Sequence, residues 1–480
     1  MTIHVETAGT LPALIEKSQK NSITELTLTG NLNGTDIRYI REMAGCDKFI
    51  RPTNGKLAVL DLTGATIVSG GDYYAHYGKD LSYLYSKDNT LTDQMFARCS
   101  RLISISLPDT AVEFDYSAVS FCLGLKQFVV SEQNTIFSAI DGVLFSKDQK
   151  TLLCFPKGRT GSYIVPDGVT NIGNSAFSDC VLQEIELPNS VSDIEEYAFH
   201  SCLKLKNIVL PDNLIEFGPF NIDKCPELTS VTIGESLNYI FSSVFYVCKK
   251  LKKFIVSEHN ESFSVEDGVL YNKYKTTLVR YPSAKKNSVF HIPYGVKTID
   301  ENAFDYCLNL RKVTIPESVD FFGDFSFCDF LEMIYIKKAI PFDDNGEEID
   351  WYKRLSQLSY VDIMRCKLYV PKGSSLIYRK ADSFSRFEFI IETTEKDMPT
   401  EIDDSCILRY TLSDSGRVKI LDNTVSFQLY DIRGKKVKPS AFSSIIFKKD
   451  ALGLGAYAII KTGNHIINQR IIYKDPDCPF

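Results

Sequence analysis

Residues 198–211 read A-F-H-S-C-L-K-L-K-N-I-V-L-P, and close variants of this stretch recur along most of the chain. Its cysteine, Cys202, belongs to a series separated by 21–23 residues, with two wider gaps of 58 and 59 residues. The series consists of Cys99, Cys122, Cys180, Cys202, Cys225, Cys248, Cys307 and Cys328. A unit of this length cannot bury its apolar face alone, so neighbouring units must stack to form a core. The stretch therefore predicts a β-rich solenoid of repeated coils.

The order of residues within one unit indicates how a coil is built. In L-x-x-I-x-L the apolar residues alternate with polar ones, as in a half-buried strand, and the following proline ends the strand. Six of the eight cysteines follow a phenylalanine by three positions. Because neighbouring strands lie ~4.8 Å apart, equivalent Phe and Cys side chains should stack into inner columns. We predict a right-handed solenoid of short parallel strands with irregular or 3-10 connections.

A second, longer period explains the two wide cysteine gaps. Residues 99–202 match residues 225–328 at an offset of 126 or 127, so that Asp141-Gly142 recurs as Asp267-Gly268. The gaps are therefore repeats that carry a matched insertion. The Asp-Gly pairs are typical of tight turns at hairpin tips, and this chemistry requires no metal.

The cysteines admit three interpretations. Cysteine is among the most frequently buried residue types, so we favour a ladder of small apolar fillers. Disulfides between neighbouring coils are an alternative, although a regular ladder favours no particular pairs. Zinc sites typically need C-x₂₋₄-C pairs, and the sequence contains none.

The N-terminal section departs from the regular unit. It holds two repeat-type strands around a stretch at 35–43 that reads as a short helix with Thr or Asp near its N-cap. An open solenoid end exposes a strand edge, so we expect residues 4–20 to form a capping helix over the first coil. We predict an N-terminal cap with atypical first repeats over 1–90 and regular repeats over 91–340.

The C-terminal section falls into three parts. Residues 341–392 run out of register with the repeats and read as a closing coil or C-terminal cap. Residues 393–404 are polar and acidic, which predicts a linker. From 405 to 480, runs of β-type residues alternate with turn signals, and this pattern predicts a small β-sandwich.

Composition and charge exclude several classes of protein. The chain has 44% hydrophobic and 24% charged residues, which is typical of a folded protein. A net charge of −7 argues against a nucleic-acid surface, since such a surface needs a dense basic stripe. No apolar run is long enough to span a bilayer, and the first residues show no signal peptide.

The repeat resembles a known family. The unit A-F-x-x-C-x-x-L-x-x-I-x-L-P resembles the BspA-like leucine-rich repeats of surface proteins from Bacteroidetes, and residues 4–65 and 368–374 look like the flanks common in that group. The resemblance covers about residues 4–392. It implies a leucine-rich-repeat fold, a secreted or cell-surface location, and adhesion to host matrix proteins or to other cells.

The tail resembles a second family. The runs L-Y-D-I-R-G-K at 429–435 and L-G-A-Y at 454–457 are similar to the C-terminal sorting domain of the type IX secretion system. This resemblance implies that the β-sandwich at 405–480 is a sorting domain that contacts the secretion machinery.

No cluster of residues in the sequence is typical of an active site. The six histidines are isolated, and no H-E-x-x-H pair, nucleophile elbow, P-loop or dinucleotide fingerprint occurs. The acidic run at 343–348 lacks the spacing of a calcium loop and reads as a solvated loop. We expect no catalysis, cofactor or metal. An enzyme would need a site within 331–392 or in the tail.

Five tyrosines lie between residues 73 and 85. Tyrosine is a favoured anchor at interfaces and sugar-stacking sites, because it combines a rigid apolar face with a hydroxyl. We hypothesise that Tyr73, Tyr74 and Tyr77 form part of a recognition patch; alternatively, some of them pack in the core or cap.

The sequence thus favours a non-enzymatic protein that adheres to host or bacterial macromolecules. The second candidate is a carbohydrate-binding accessory protein of the cell surface.

Overall fold

The computed structural model describes residues 1–77, 82–322, 325–339, 366–380, 384 and 387–394, together with the backbone of seven strands between 410 and 470. The chain falls into two compact units. The first contains residues 1–331 and 341–361, and the second contains residues 332–340 and 362–480.

The described part of the first unit consists mainly of short strands. Its helices are α1 (Leu11–Leu14) and α2 (Gly34–Met43), and a 3-10 helix spans Tyr116–Val119. In chain order its strands are β1 (Thr2–Val5), β2 (Glu25–Leu32), β3 (Val59–Asp61), β4 (Ala65–Ile67), β5 (Gly70–Tyr77), β6 (Ser82–Ser86), β7 (Thr90–Leu91), β8 (Ser104–Ser106), β9 (Glu113–Phe114), β10 (Gln127–Val129), β11 (Phe137–Ile140), β12 (Val143–Ser146), β13 (Thr151–Cys154), β14 (Ser162–Ile164), β15 (Asn171–Ile172), β16 (Glu184–Glu186), β17 (Asp193–Ile194), β18 (Asn207–Val209), β19 (Glu216–Phe217), β20 (Ser230–Ile233), β21 (Tyr239–Ile240), β22 (Lys253–Val256), β23 (Phe263–Glu266), β24 (Val269–Asn272), β25 (Thr277–Arg280), β26 (Val289–His291), β27 (Thr298–Ile299), β28 (Lys312–Ile315) and β29 (Phe321–Phe322).

Each coil contributes one strand to a set of parallel sheets that we call the first column. These strands pair in the runs β1-β2-β3-β8-β10, β14-β16-β18-β20-β22 and β26-β28. The register aligns the apolar residues, so that Ile208, Val231 and Phe254 are buried next to one another in consecutive coils. The predicted solenoid of stacked parallel strands is confirmed.

A second column of shorter strands closes the opposite side of the coils. It contains the runs β13-β15-β17, β19-β21 and β25-β27-β29, together with the pair β7-β9. Ile172 and Ile194 occupy equivalent positions in neighbouring coils and are buried. The regular strands of this column are two residues long, too short to show in the sequence as strands.

The turn with the Phe and Cys motif joins the second column to the next coil, and we call it the corner. The Phe177 ring stacks between Phe155 and Phe199, with centroid distances of 5.3 Å on both sides. The thiols of Cys202 and Cys225 donate to the carbonyls of Phe177 and Phe199, each at 3.2 Å. The eleven described cysteines are buried, and none of them is in a disulfide. The interpretation of the eight cysteines in the repeat series as fillers of an inner column is confirmed, whereas Cys406 and Cys478 lie outside the described residues.

Each matched insertion is a hairpin followed by a strand of the second column. β11 pairs antiparallel with β12, and β23 with β24, before β13 and β25 join the column. Asp141 and Gly142 have φ angles of 47° and 72°, and Asp267 and Gly268 have 48° and 76°. Two consecutive left-handed residues are what a type I′ hairpin turn requires, so the predicted turn chemistry is confirmed. The Phe128 N–H donates to the Gly142 carbonyl at 2.8 Å, and the hairpin tip thereby continues the first column where its strands are interrupted.

The N-terminal cap differs from the prediction in one element. The helix expected near 35–43 is confirmed as α2, with Asn33 as its N-cap in a capping box completed by Asp36. The prediction that residues 4–20 form one capping helix is wrong. Residues 2–5 form the edge strand β1, which pairs with β2, and only the single turn α1 is helical. The Asp36 carboxylate explains this path, because it accepts hydrogen bonds from the N–H groups of Gly9 and Leu11 and holds the segment away from a continuous helix.

The second unit begins with three parallel strands and one helix. They are β30 (Met333–Ile336), β31 (Lys367–Pro371), α3 (Ser375–Lys380) and β32 (Ile390–Thr393). The predicted closing coil at 341–392 falls partly on these elements, while 340–365 and most of the predicted linker lie outside the described residues.

The described strands of the tail form two antiparallel sheets. The first is β33-β34-β37 and the second is β36-β35-β38-β39. Their bounds are β33 (Tyr410–Leu412), β34 (Arg417–Ile420), β35 (Phe427–Tyr430), β36 (Lys436–Val437), β37 (Ile445–Ile446), β38 (Tyr457–Thr462) and β39 (His465–Arg470). The β-sandwich at 405–480 stays a prediction. Among the described residues of both units, no helix has the length and apolar character that crossing a bilayer requires.

Asp300, which follows β27, should make the stability of the solenoid depend on pH. Burial raises the pKa of its carboxyl to about 6. The pKa of this carboxyl is higher in the folded chain than in the unfolded chain. The contribution of Asp300 to the free energy of unfolding is therefore fully present below about pH 4 and is lost as the pH rises through 6. Asp300→Asn should therefore raise the free energy of unfolding by about 1–2 kcal/mol at pH 7 and leave it unchanged at pH 4.

Urea denaturation at the two pH values measures this difference. The matched control is Asp167→Asn in an exposed turn, which should change the stability at neither pH. An equal effect of Asp300→Asn at pH 4 and pH 7 would contradict the prediction.

Candidate functional site

The tyrosine-rich segment forms a two-stranded ribbon that is inserted between β4 and β7. β5 and β6 pair antiparallel, with Ala75 opposite Leu84 and His76 opposite Tyr83, and β5 carries a bulge between Gly70 and Ala75. The ribbon is fastened to α2, because the Asp72 N–H donates to the Thr35 hydroxyl at 2.9 Å and the Asp72 carboxylate pairs with Arg38 at 3.1 Å. It is therefore an attachment to the coil and leaves the two columns intact.

Tyr74 lies on the inner side of the ribbon, and its assignment to a recognition patch is wrong. Its side chain is fully buried. Its hydroxyl donates to the Asp93 carbonyl at 2.5 Å and lies 2.8 Å from the Thr92 hydroxyl. Burial raises the pKa of Tyr74 to about 12. The residue anchors the ribbon to the coil. The side chain of Tyr77 lies outside the described residues, and its role stays a hypothesis.

Tyr73 lies on the outer side, within a group of aromatic rings. Its centroid is 4.8 Å from that of Tyr83 and 6.5 Å from that of Tyr85, and His76 lies 4.9 Å from Tyr83. Phe49, from the loop after α2, extends the group with a centroid 6.1 Å from His76. Phe49, Tyr83 and Tyr85 are 45%, 47% and 51% exposed. We call these five residues the aromatic platform.

Two cations border the aromatic platform. Lys48 Nζ lies 4.6 Å from the Tyr73 centroid and 5.1 Å from that of Phe49, and the Arg51 guanidinium lies 5.3 Å from Phe49. The nearby Asp47 carboxylate is occupied by the N–H groups of Phe49 and Arg51, at 2.8 and 2.7 Å. The surface thus combines rigid apolar faces with positive charge. This combination suits an apolar or aromatic anchor on a protein, or the apolar face of a sugar that carries an acidic group.

The sequence contained part of the signal for the aromatic platform. Tyr83 and Tyr85 are spaced by two residues, which places both side chains on one face of a strand. The bulge in β5 could not be predicted from the sequence, although it places Tyr73 and His76 on the same, outer face. Phe49 comes from another segment, and only the fold brings it to the ribbon.

Catalysis and metal binding both need polar side chains that converge on one point. His200 lies 3.1 Å from the Asp223 carboxylate, at a corner, and His4 and His291 contact threonine hydroxyls. Within the described residues, no group of three or more His, Cys, Asp and Glu side chains is arranged to hold a metal ion. The acidic run at 343–348 lies outside them. Among the described residues, the aromatic platform is the candidate site.

The sequence matches one family model along most of the repeat region. Six copies of the BspA type leucine rich repeat region match residues 72–150, 153–276 and 282–362, which is more than half of the chain. No curated protein matches the sequence significantly.

Several solved structures are similar to this chain. They include a leucine-rich repeat protein from Eubacterium ventriosum (20% identity, TM-score 0.36, covering 52% of this chain and 66% of that one). A leucine rich cell surface protein from Faecalibacterium prausnitzii has 19% identity and a TM-score of 0.37, with coverage of 67% and 86%. A leucine-rich repeat protein from Bacteroides ovatus has 19% identity and a TM-score of 0.34, with coverage of 54% and 62%. The chain spans just under two thirds of the first and the third of these proteins.

Proposed function

Because the chain belongs to the family of BspA-type leucine-rich-repeat proteins, we propose that it is a non-enzymatic, secreted or cell-surface protein that adheres to host or bacterial macromolecules. Proteins of this family are typically cell-surface proteins, and their repeats typically serve as binding scaffolds. The partner we propose is an extracellular-matrix or cell-surface protein, bound through the aromatic platform.

The clustering of exposed rings in the aromatic platform carries this proposal. Phe and Tyr residues that serve the fold are buried in the corners, as the Phe177 stack shows. Phe49, Tyr83 and Tyr85 instead leave about half of their surface in contact with solvent. Aromatic residues with an adjacent Arg are enriched at the energetic centres of protein interfaces. A cluster of this kind on a ribbon outside both columns is best explained by contact with a partner.

The export route is a separate part of the proposal. The similarity of residues 405–480 to type IX sorting domains supports recognition of the tail by that secretion machinery, in an organism of the Bacteroidetes. Fusion of residues 405–480 to a reporter with a signal peptide, in a Bacteroidetes host with and without the secretion system, tests this route.

Removal of the tyrosine rings should weaken adhesion. The variant Tyr73→Ser, Tyr83→Ser, Tyr85→Ser should bind its matrix protein roughly 100-fold more weakly, since interface tyrosines often contribute about 1 kcal/mol each. The measurement is surface plasmon resonance of the full chain over immobilised fibronectin and other matrix proteins.

The chain provides a matched control for this variant. Tyr274 and Tyr294 are 85% and 79% exposed and lie in turns away from the ribbon. Tyr274→Ser with Tyr294→Ser removes exposed rings without touching the aromatic platform, and binding should be unchanged. The proposal fails if the wild-type chain binds no protein of the panel, or if the platform variant binds as tightly as the wild type.

Carbohydrate binding is the second candidate function, and the open rings of Tyr83 and Tyr85 favour it. Such rings can stack on the apolar face of a sugar, while Lys48 and Arg51 can pair with an acidic substituent. Glycan-array signals that disappear in the platform variant, together with no binding to matrix proteins, would select this function over the first.

A further inference from the structure

A second charged surface lies in the regular coils and is separate from the aromatic platform. Residues 249–253 read K-K-L-K-K, with Leu251 buried and the four lysines exposed. Two further exposed lysines lie two coils earlier. We call the six residues the lysine strip; they are Lys204, Lys206, Lys249, Lys250, Lys252 and Lys253.

The backbone places these lysines on two coils of the first column, separated by one coil that carries none of them. The Lys252 N–H donates to the Thr229 carbonyl at 2.9 Å, and the Thr229 N–H donates to the Lys206 carbonyl at 2.7 Å. Lys206 and Lys252 are thus two strand spacings apart, ~9.6 Å. Lys253 is aligned with Ser230 in the same register. The lysine strip therefore consists of two groups of lysines that are held two strand spacings apart.

The lysine strip contains much more positive than negative charge. In the described ion pairs, the carboxylate partner of the lysine strip is Glu227, which pairs with Lys250 at 2.8 Å. The pKa of Glu227 is lowered by the hydrogen bond from Lys250 and further by the charges of Lys204 and Lys206. Among the described ion pairs, Lys204, Lys206, Lys252 and Lys253 have no carboxylate partner. This excess is unexpected in a chain with a net charge of −7, and like charges held together on a rigid sheet favour an anion from outside.

The side-chain chemistry restricts what that anion is. Arginine would give the bidentate contact that recognises single carboxylates, whereas lysine acts as a point charge. Binding of single-stranded nucleic acid uses exposed aromatic rings for stacking, and the strip lysines offer none. The ring below Lys249, that of Tyr306, is buried. Short lysine-rich runs are typical of heparin-type as well as nucleic-acid surfaces.

We propose that the lysine strip binds a linear sulfated polysaccharide along the first column. Sulfate groups recur along such a chain, so that one extended molecule contacts the lysines of both coils at once. This surface is independent of the aromatic platform, and it adds a polyanionic ligand to the proposed adhesion to proteins.

Heparin is the probe for this proposal, and biolayer interferometry of the full chain at several NaCl concentrations is the measurement. The variant Lys204→Gln, Lys206→Gln, Lys252→Gln, Lys253→Gln removes four of the six charges and no described ion pair. The affinity for heparin should fall roughly 100-fold, and the slope of log K against log [NaCl] should fall by about two thirds.

Two controls distinguish an effect of the lysine strip on heparin binding from an effect of the net charge of the chain. Substitution of the same four residues by Arg keeps the charge and should retain binding. Substitution by Gln of four exposed lysines elsewhere, Lys17, Lys56, Lys87 and Lys150, removes the same charge and should leave the affinity unchanged.

Four outcomes would overturn the proposal. They are no binding of the wild-type chain to heparin near physiological salt, equal binding by the Gln variant of the strip, equal binding of desulfated heparin, and tighter binding of single-stranded DNA than of heparin. The Tyr73→Ser, Tyr83→Ser, Tyr85→Ser variant should bind heparin like the wild type. The proposal for the aromatic platform and the proposal for the lysine strip can therefore fail independently of each other.

Discussion

Phe177→Ala should lower the free energy of unfolding by about 3–5 kcal/mol, because it removes a buried ring and leaves a cavity inside the corner stack. The ring is fully buried and parallel to Phe199 within 11°. It also packs against Phe155, the residue that links the first insertion to the stack. The loss should therefore affect coils on both sides. Urea denaturation followed by circular dichroism measures it.

The control for Phe177→Ala is the same substitution at an exposed corner. Phe121 is 42% exposed, and its ring lies below the Arg98 guanidinium at 4.6 Å. Both Phe121 and its Ala replacement occupy a left-handed backbone position, so the backbone strain is similar in the two chains. Phe121→Ala should cost less than about 1 kcal/mol. Equal costs at the two positions would mean that the corner stack is not a main source of stability.

Asn260→Ala should cost about 3–5 kcal/mol, since this buried amide satisfies four backbone groups at the start of the second insertion. Its Nδ2 donates to the carbonyls of Gly234 and Leu237, at 2.7 and 2.9 Å. Its Oδ1 accepts from the N–H groups of Ser262 and Phe263, at 2.9 and 2.7 Å. Alanine leaves these groups unpaired in a place that water does not reach. Urea denaturation again provides the measurement.

The chain contains a replicate and a control for this substitution. Asn134 occupies the equivalent place in the first insertion and makes the corresponding bonds, to the carbonyls of Pro108 and Ala111 and from the N–H groups of Ile136 and Phe137. Asn134→Ala should cost a similar amount. Asn287 is exposed, and Asn287→Ala should be neutral. A small effect at both buried positions would show that the insertions are held by their hairpins alone.

The parts of the fold that the sequence could predict are those that repeat. A strand of three residues, such as β18, is too short to be convincing alone, but its equivalents at the same spacing in neighbouring coils reveal it. The Phe and Cys columns follow from the same spacing, and the insertions follow from the recurrence of Asp141-Gly142 as Asp267-Gly268. The buried amides of Asn134 and Asn260 share this offset and could have been found in the same way.

The features of the fold that the sequence could not predict are those that occur only once in the chain. The segment at 4–20 has a helix-compatible composition, but its path is set by pairing of β1 with β2 and by the Asp36 carboxylate, both of which are tertiary contacts. If the side chains of β5 alternated strictly, Tyr73 would lie on the same face as Ala75 and on the opposite face from His76. The bulge reverses this arrangement, and only the folded ribbon distinguishes Tyr74 from Tyr73.

Hydrogen–deuterium exchange of the full chain, with and without the matrix protein or glycan that it binds, tests the central claim most directly. The claim is that adhesion occurs through the aromatic platform. We expect slower exchange on binding in two segments, 44–54 and 70–86, with little change in the second-column strands. Protection confined to other coils, with both segments unchanged, would contradict the account.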